Sequence, residues 1–182
     1  MDLSEIQNTI LDRRIKGIPG SSEPFPLKEL KNKNWNILKE DMPMPLMVLK
    51  QKNYRHNLTT FSNYLEKHNL DISPHGKTTM APQIFSEQIK HGAWGITAGA
   101  INQIQVMFDF GINKVLLANQ LLGKSHLETI ASYINQNKNF SFYCFVDSIE
   151  QFLNIKKNLG DQNLTNPINL LPEVGAENGR TG

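Results

Sequence analysis

The stretch WGITAGAINQIQVMFDFGINKVLLA, residues Trp94 to Ala118, decides the fold. It opens on a short apolar run, Trp94–Thr97, passes through helical texture from about Ile101 to Phe110, and ends on a second apolar run, Lys114–Ala118. Two such runs joined by a helix-length segment read as a βαβ unit. Its strands are parallel, because a strand that returns in the same direction needs a long crossover.

The pattern continues on both sides. Downstream come a helix from about Ser125 to Gln136, a strand Phe142–Val146, a helix carrying Ile149, Phe152 and Leu153, and a strand Ile168–Val174. Ser125 with Glu128, and Asp147 with Glu150, mark two helix starts, each a side-chain acceptor followed three residues on by a carboxylate. Upstream, Leu70–Lys77 reads as a short strand ending in a loop. A helix follows with Met80, Ile84, Phe85 and Ile89 inward, closed by His91 and Gly92. Before it lie a strand, Leu46–Leu49, and a helical stripe of Tyr54, Leu58, Phe61 and Leu65.

Strand starts near 72, 95, 115, 142 and 168 recur at the length of one strand, one returning helix and two short loops. The central strands are nearly continuous apolar runs, as expected when both faces are covered. An eight-unit barrel takes roughly 250 residues, so residues 71–182 hold about five units. The expected fold is α/β, a partial (β/α)8 TIM-type barrel with an N-terminal helical extension. Five parallel units leave an unpaired edge, and the last residues, Gly179–Gly182, fall in a strand-to-helix loop. Both points lead to the expectation of a truncated barrel, or of one that another chain completes.

The extension is expected over residues 1–44 and the incomplete barrel over 45–182. Residues 4–16 have helical spacing, with Ser4 and Gln7 as a capping pair and Ile6 and Ile10 one turn apart. Gly17–Ser22 ends that helix. The polar stretch to Asp41 contains Pro24 and Pro26 and is expected to use Trp35 and Leu38 as anchors.

The apolar content of 39%, the charged content of 20% and a net charge of +2 are those of a globular chain whose lysines are interleaved with carboxylates. No basic face for nucleic acid is evident. The single cysteine, Cys144, lies in an apolar run and reads as a packed core thiol, which excludes an internal disulfide. The acidic N-terminus lacks the pattern of a secretory signal, and no stretch approaches the ~20 apolar residues of a membrane span. A cytoplasmic protein without a membrane partner is expected.

In barrels and open α/β sheets, reactive groups stand at the carboxyl ends of strands. Lys77 has that place after the first barrel strand, where a partly desolvated amine can attack an aldehyde; the alternative is an ordinary solvated lysine. Asn119 and Gln120 also lie near a strand end, either lining a site or closing a turn. Asp147 has a sufficient role as a helix cap. Trp94, at the start of its strand, reads as packing. His56, His68, His91 and His126 are dispersed and form no metal-ligand pair, so no metal ligands are expected in this chain.

The string Pro74-His75-Gly76-Lys77-Thr78-Thr79-Met80-Ala81-Pro82-Gln83 is similar to the pyridoxal-phosphate (PLP) lysine segment of one enzyme group. That group comprises the D-threonine aldolases, D-serine dehydratases and amino-acid deaminases, within the alanine-racemase-like, fold type III barrel enzymes. Further matches follow in order over residues 35–182: Gly92–Thr97, Leu116–Gln120, Val146–Ser148, Glu173–Gly175 and Gly179–Gly182. Asn178 stands where the group has the first glycine of its ending, and Ala98-Gly99-Ala100 departs from the usual residues after the second strand.

The resemblance implies that Lys77 carries PLP as a Schiff base and serves as base or acid at the substrate Cα. It implies that Arg180 lies near the cofactor ring oxygen; a solvent-facing arginine in an Asn-Gly turn is the other reading. His75 either faces the cofactor or supports the site as a hydrogen-bond donor. The implied activity is that of a PLP-dependent lyase that deaminates D-threonine or D-serine to a 2-oxo acid and ammonia. Alternatives are a D-threonine aldolase, a non-catalytic PLP-binding protein and an inactive truncated fragment; racemisation lacks a second proton-transfer residue. A divalent metal bound by a later domain and a homodimer are further implications.

Overall fold

The structure, a computed structural model, describes residues 1–160 and 162–179. The chain divides into two compact units, Asp2–Asn57 and the part that begins at Leu58.

In the Asp2–Asn57 unit the first helix, α1, covers only Ser4–Asn8. The helix expected to run to residue 16 stops there because Ile10–Leu11 (β1) turns to pair antiparallel with Phe25–Pro26 (β2). Ser4 is not the cap: Leu3 holds that position, and Asp2 Oδ1 accepts the Ser4 N–H at 2.8 Å. Phe25 and Ile18 are buried, and the Trp35 ring meets Phe25 edge-on at 5.8 Å. Leu38, expected as a second anchor, is 94% exposed, since its short 3-10 turn, Ile37–Lys39, directs it to solvent. Leu46–Leu49 is not a strand. Among the described residues no strand takes its backbone bonds, and Met47, Val48 and Leu49 are exposed.

The second unit contains a four-stranded parallel sheet in chain order. Its strands are β3 (Ile96–Ala98), β4 (Lys114–Gln120), β5 (Ser141–Val146) and β6 (Ile168–Pro172). The connecting helices are α4 (Ile101–Asp109), α5 (Lys124–Gln136) and α6 (Ile149–Leu159). Helices α2 (Gln51–His68) and α3 (Pro82–Lys90) precede the sheet. This is the parallel α/β architecture expected from the 20-to-27-residue repeat.

Residues opposite one another in a parallel ladder share a face. Ile96, Val115, Phe142 and Ile168 are in register and face the helices, as do Ala98, Leu117, Cys144 and Leu170. Of these, the residues of β3, β4 and β5 are at most 2% exposed, against Phe85, Ile104, Met107, Leu127, Ile130 and Ile134 of the helices. Burial in that apolar shell pushes the Cys144 thiol up to about 12.

The first expected barrel strand is reduced to one parallel bridge, His75 with Thr97. Its backbone still follows β3. Trp94 N–H donates to Ile72 O, Thr97 N–H to Pro74 O and Gly76 N–H to Thr97 O, each at 2.8 Å. The two prolines of Pro74–Pro82 and a turn at residues 77–79 leave no longer run of ladder to register as a strand.

Two expected caps are displaced. Gly123, with φ +84°, occupies the N-cap of α5 in place of Ser125. At α6 the cap is Ser148, not Asp147: its Oγ accepts the Gln151 N–H at 3.2 Å, and Gln151 Oε1 accepts the Asp147 N–H at 3.2 Å. Ser148 and Gln151 have capping-box spacing one residue downstream of the expected pair, with the Gln151 side chain reaching back one residue past the cap, to the Asp147 N–H.

Candidate functional site

At the carboxyl ends of the strands, side chains add to the backbone bonds between neighbours. The β3–β4 ladder ends at the pair Ala98 and Leu117. Beyond Leu117 the β4–β5 register shifts, so that Gln120, not Ala118, lies opposite Phe145. An irregularity of this kind re-aims the side chains that follow it. Asn119 and Gln120 consequently reach in opposite directions along the rim. Asn119 Nδ2 donates to Gly99 O at 3.4 Å, toward β3. Gln120 Nε2 donates to Asp147 Oδ2 at 2.9 Å and to Glu173 Oε2 at 2.8 Å, just past the ends of β5 and β6.

Gly76 fixes where Lys77 can go. A Cβ on Gly76 would lie 2.7 Å from Met107 Cε, 2.8 Å from Phe85 Cε1 and 2.9 Å from Ile96 Cγ2, so the helix side is closed to any side chain there. His75, bridged to Thr97, is on the opposite, inner face. Lys77 begins a turn closed by Met80 N–H donating to Gly76 O at 2.9 Å, with Met80 in the left-handed region at φ +42°. A non-glycine residue in that region marks a constrained loop. The Lys77 Cδ lies 3.5 Å from where a Cβ on Gly99 would stand. The Lys77 stem therefore rests beside the backbone of the residue that follows β3, and the side chain is exposed.

Gly99 is itself held on both edges. Its N–H donates to Gln103 Oε1 at 2.7 Å, and its carbonyl accepts from Asn119. Gln103 is the third residue of α4, whose N-cap Ala100 has no side-chain acceptor. A glutamine at that position ordinarily reaches back to the start of its helix.

The sequence-predicted residues thus fall as follows. Lys77 and His75 share the inner side of the carboxyl rim, and Asn119 and Gln120 bind its neighbours together. Asp147 is released from the capping role expected for it and accepts the Gln120 amide. Arg180 lies outside the described residues. Trp94 packs edge-on against Tyr143 at 4.8 Å, beneath Lys114 Nζ. Sequence reasoning missed Gln103, Ser148 and the contact of Glu173 with Gln120. The Ser148–Gln151 spacing was the available signal for the cap; the other two depend on which strands become neighbours.

Among the described residues, no group of three or more histidine, cysteine or acidic side chains is placed to hold a metal ion. No helix among them is long and apolar enough to cross a membrane. Two clefts of this unit lie away from the rim. One of about 370 Å³ is lined by Lys90, Trp94 and Lys114, and one of about 240 Å³ by Leu58, Leu65, Ile72 and His91.

No family model and no curated protein matches the sequence. Among solved structures the chain is similar to the D-threonine aldolase from Filomicrobium marinum. The identity is 26% and the TM-score 0.70, over 78% of this chain and 37% of the aldolase. It is also similar to two point mutants of D-threo-3-hydroxyaspartate dehydratase. The first is 18% identical with a TM-score of 0.68, over 77% of this chain and 35% of that one. The second, in a metal-free form, is 17% identical with a TM-score of 0.64, over 77% and 36%. At these identities the two dehydratase structures speak to the fold alone. The chain spans little more than a third of the length of the structures it matches. In its fold, a parallel sheet with covering helices, the chain resembles part of the barrel of D-threonine aldolase and of D-threo-3-hydroxyaspartate dehydratase, which are fold type III PLP enzymes.

Proposed function

We propose that the chain supplies the lysine-bearing part of a PLP-dependent lyase that acts on D-3-hydroxy amino acids, deaminating D-threonine or D-serine to a 2-oxo acid and ammonia. Lys77 is the residue that takes the cofactor aldehyde. The observation that carries this reading is the place of Lys77: exposed, at the carboxyl end of a parallel sheet, with its stem beside the side-chain-free Gly99. An aldehyde cofactor requires an accessible primary amine on a rigid support, and these residues fit that requirement.

When bound, PLP supplies the electron sink that allows a bond to the substrate Cα to break. The remaining work belongs to the chain. The Lys77 Nζ would hold the aldehyde when PLP is bound, and the same amine would be placed to hold or move the proton at the substrate Cα. His75 faces the same inner side and is placed to orient groups there. Gln120 holds the side chains of Asp147 and Glu173 together at the rim, where they are placed to contact polar groups of a substrate. Arg180 is proposed to approach the cofactor ring oxygen.

Residues 45–182 are read as the incomplete PLP-binding barrel and residues 1–44 as its extension. A divalent metal held by a later domain and a homodimeric assembly complete the proposal on the resemblance, and a cytoplasmic location is proposed from the single packed cysteine. A second reading, aldol cleavage of D-threonine, is favoured by the 26% identity to an aldolase.

Titrating the chain with PLP tests the cofactor role. A yellow lysine adduct is expected in the wild type and none in Lys77→Ala; a full-strength band in that variant would overturn the assignment. With PLP and D-threonine, ammonia and 2-oxobutanoate mark the deaminase, whereas glycine and acetaldehyde mark the aldolase.

A further inference from the structure

Lys77 has a flexible four-carbon stem, and nothing in its own turn determines where the amine points. The Gly99 backbone lies beside that stem. Its φ is not in the left-handed region, and a Cβ there would meet Lys77 Cδ at 3.5 Å and Gln103 Oε1 at 3.6 Å, both ordinary contacts. Neither chain geometry nor crowding therefore demands a glycine. What the site holds in place is the peptide itself.

That peptide lies beyond the end of the β3–β4 ladder, where the backbone of β4 no longer bonds it. Two side chains take over: Gln103 accepts the Gly99 N–H at 2.7 Å, and Asn119 donates to its carbonyl at 3.4 Å. Gln103 makes the shorter contact and is half-buried, whereas Asn119 is exposed. Ala98 is held by the ladder and the Ala100 carbonyl accepts the Gln103 and Ile104 N–H groups; between them, these two side chains hold Gly99 beside the Lys77 stem.

We infer that Gln103 is a positioning residue for Lys77: by holding the Gly99 peptide, assisted by Asn119, it fixes the surface along which the lysine stem lies and so aims the amine at a bulky aldehyde. The inference rests on Lys77 being the PLP lysine and extends that reading to a residue with no contact of its own to the cofactor. Orientation matters for a large ligand that must fit the rim and not for a small one. The two ligand sizes should therefore respond differently.

The test compares the full chain with Gln103→Met, which keeps the length but loses the acceptor, and with Gln103→Glu, which keeps an acceptor oxygen at the same reach. Two readouts are taken at Lys77 by peptide mass spectrometry after reductive trapping: the apparent affinity for PLP and the rate of modification by formaldehyde. Circular dichroism and the melting temperature show that each variant folds. The expected result is PLP affinity weakened about fivefold in Gln103→Met, the worth of one neutral hydrogen bond. Formaldehyde modification should be unchanged, and PLP affinity near that of the wild type in Gln103→Glu. Wild-type PLP affinity in folded Gln103→Met, or an equal loss of both reactions, would overturn the inference and leave the cofactor lysine standing. A wild-type chain that shows no preference of PLP for Lys77 would overturn the cofactor reading and this inference together.

Discussion

The two faces of the parallel sheet use alternate residues of the same strands, yet they are finished in different ways. On the helix side Val115, Leu117, Phe142 and Cys144 are at most 2% exposed and packed on all sides. On the inner side Leu116, Tyr143 and Phe145 are only half-buried. The inner side ends in a polar rim where Gln120 bonds Asp147 and Glu173, and Asn119 bonds Gly99. The difference teaches where each property resides. Helix-side packing fixes the strands rigidly enough that a few long side chains at their carboxyl ends keep defined positions.

The comparison can be broken at its strongest point first. Phe142→Ala removes a fully buried ring from the helix side and should cost about 3–5 kcal/mol, read from urea denaturation; a loss below about 1 kcal/mol would mean that this face is not the core. Gly76→Ala probes the border between the faces. The added methyl meets Met107, Phe85 and Ile96 within 2.9 Å. Those contacts should cost about 1–3 kcal/mol of stability by overpacking, whereas a neutral result in a thermal melt would show that the helix side yields there.

Ser148→Ala, beyond the sheet, should cost about 1 kcal/mol through the lost cap of α6. Asp147→Ala should not reproduce this in the helical signal, because Asp147 does not cap the helix. The last effect emerges only at alkaline pH, at Cys144. Burial raises its thiol from the ordinary 9.0 to about 12, so the native chain keeps a proton that the unfolded chain releases. Its contribution is therefore complete below about pH 9 and declines as the pH rises toward 12. Urea midpoints over that window should fall more steeply in the wild type than in Cys144→Ala.

Much of the second unit was legible in the sequence, because its strands are apolar runs at regular intervals and its helices have the matching period. The strand Lys114–Ala118 is realised within Lys114–Gln120, and Phe142–Val146 within Ser141–Val146. The Asp2–Asn57 unit was less legible. Its short elements depend on contacts such as Phe25 with Trp35, which periodicity does not encode. Leu46–Leu49 has the composition of a strand but no partner to pair with, and a strand is a property of two segments. At the site, Lys77 stood out through its place after Pro74-His75-Gly76. Gln103 did not, since its role exists only once α4 starts directly behind Gly99.

The central claim is that one lysine of this chain is set apart by its position at the rim. The most direct measurement is a peptide map after incubation with PLP at limiting concentration and borohydride reduction. The account predicts the phosphopyridoxyl mass on the peptide containing Lys77 and no comparable label elsewhere. Label spread over the exposed lysines, or concentrated on another such as Lys67 or Lys124, would contradict it.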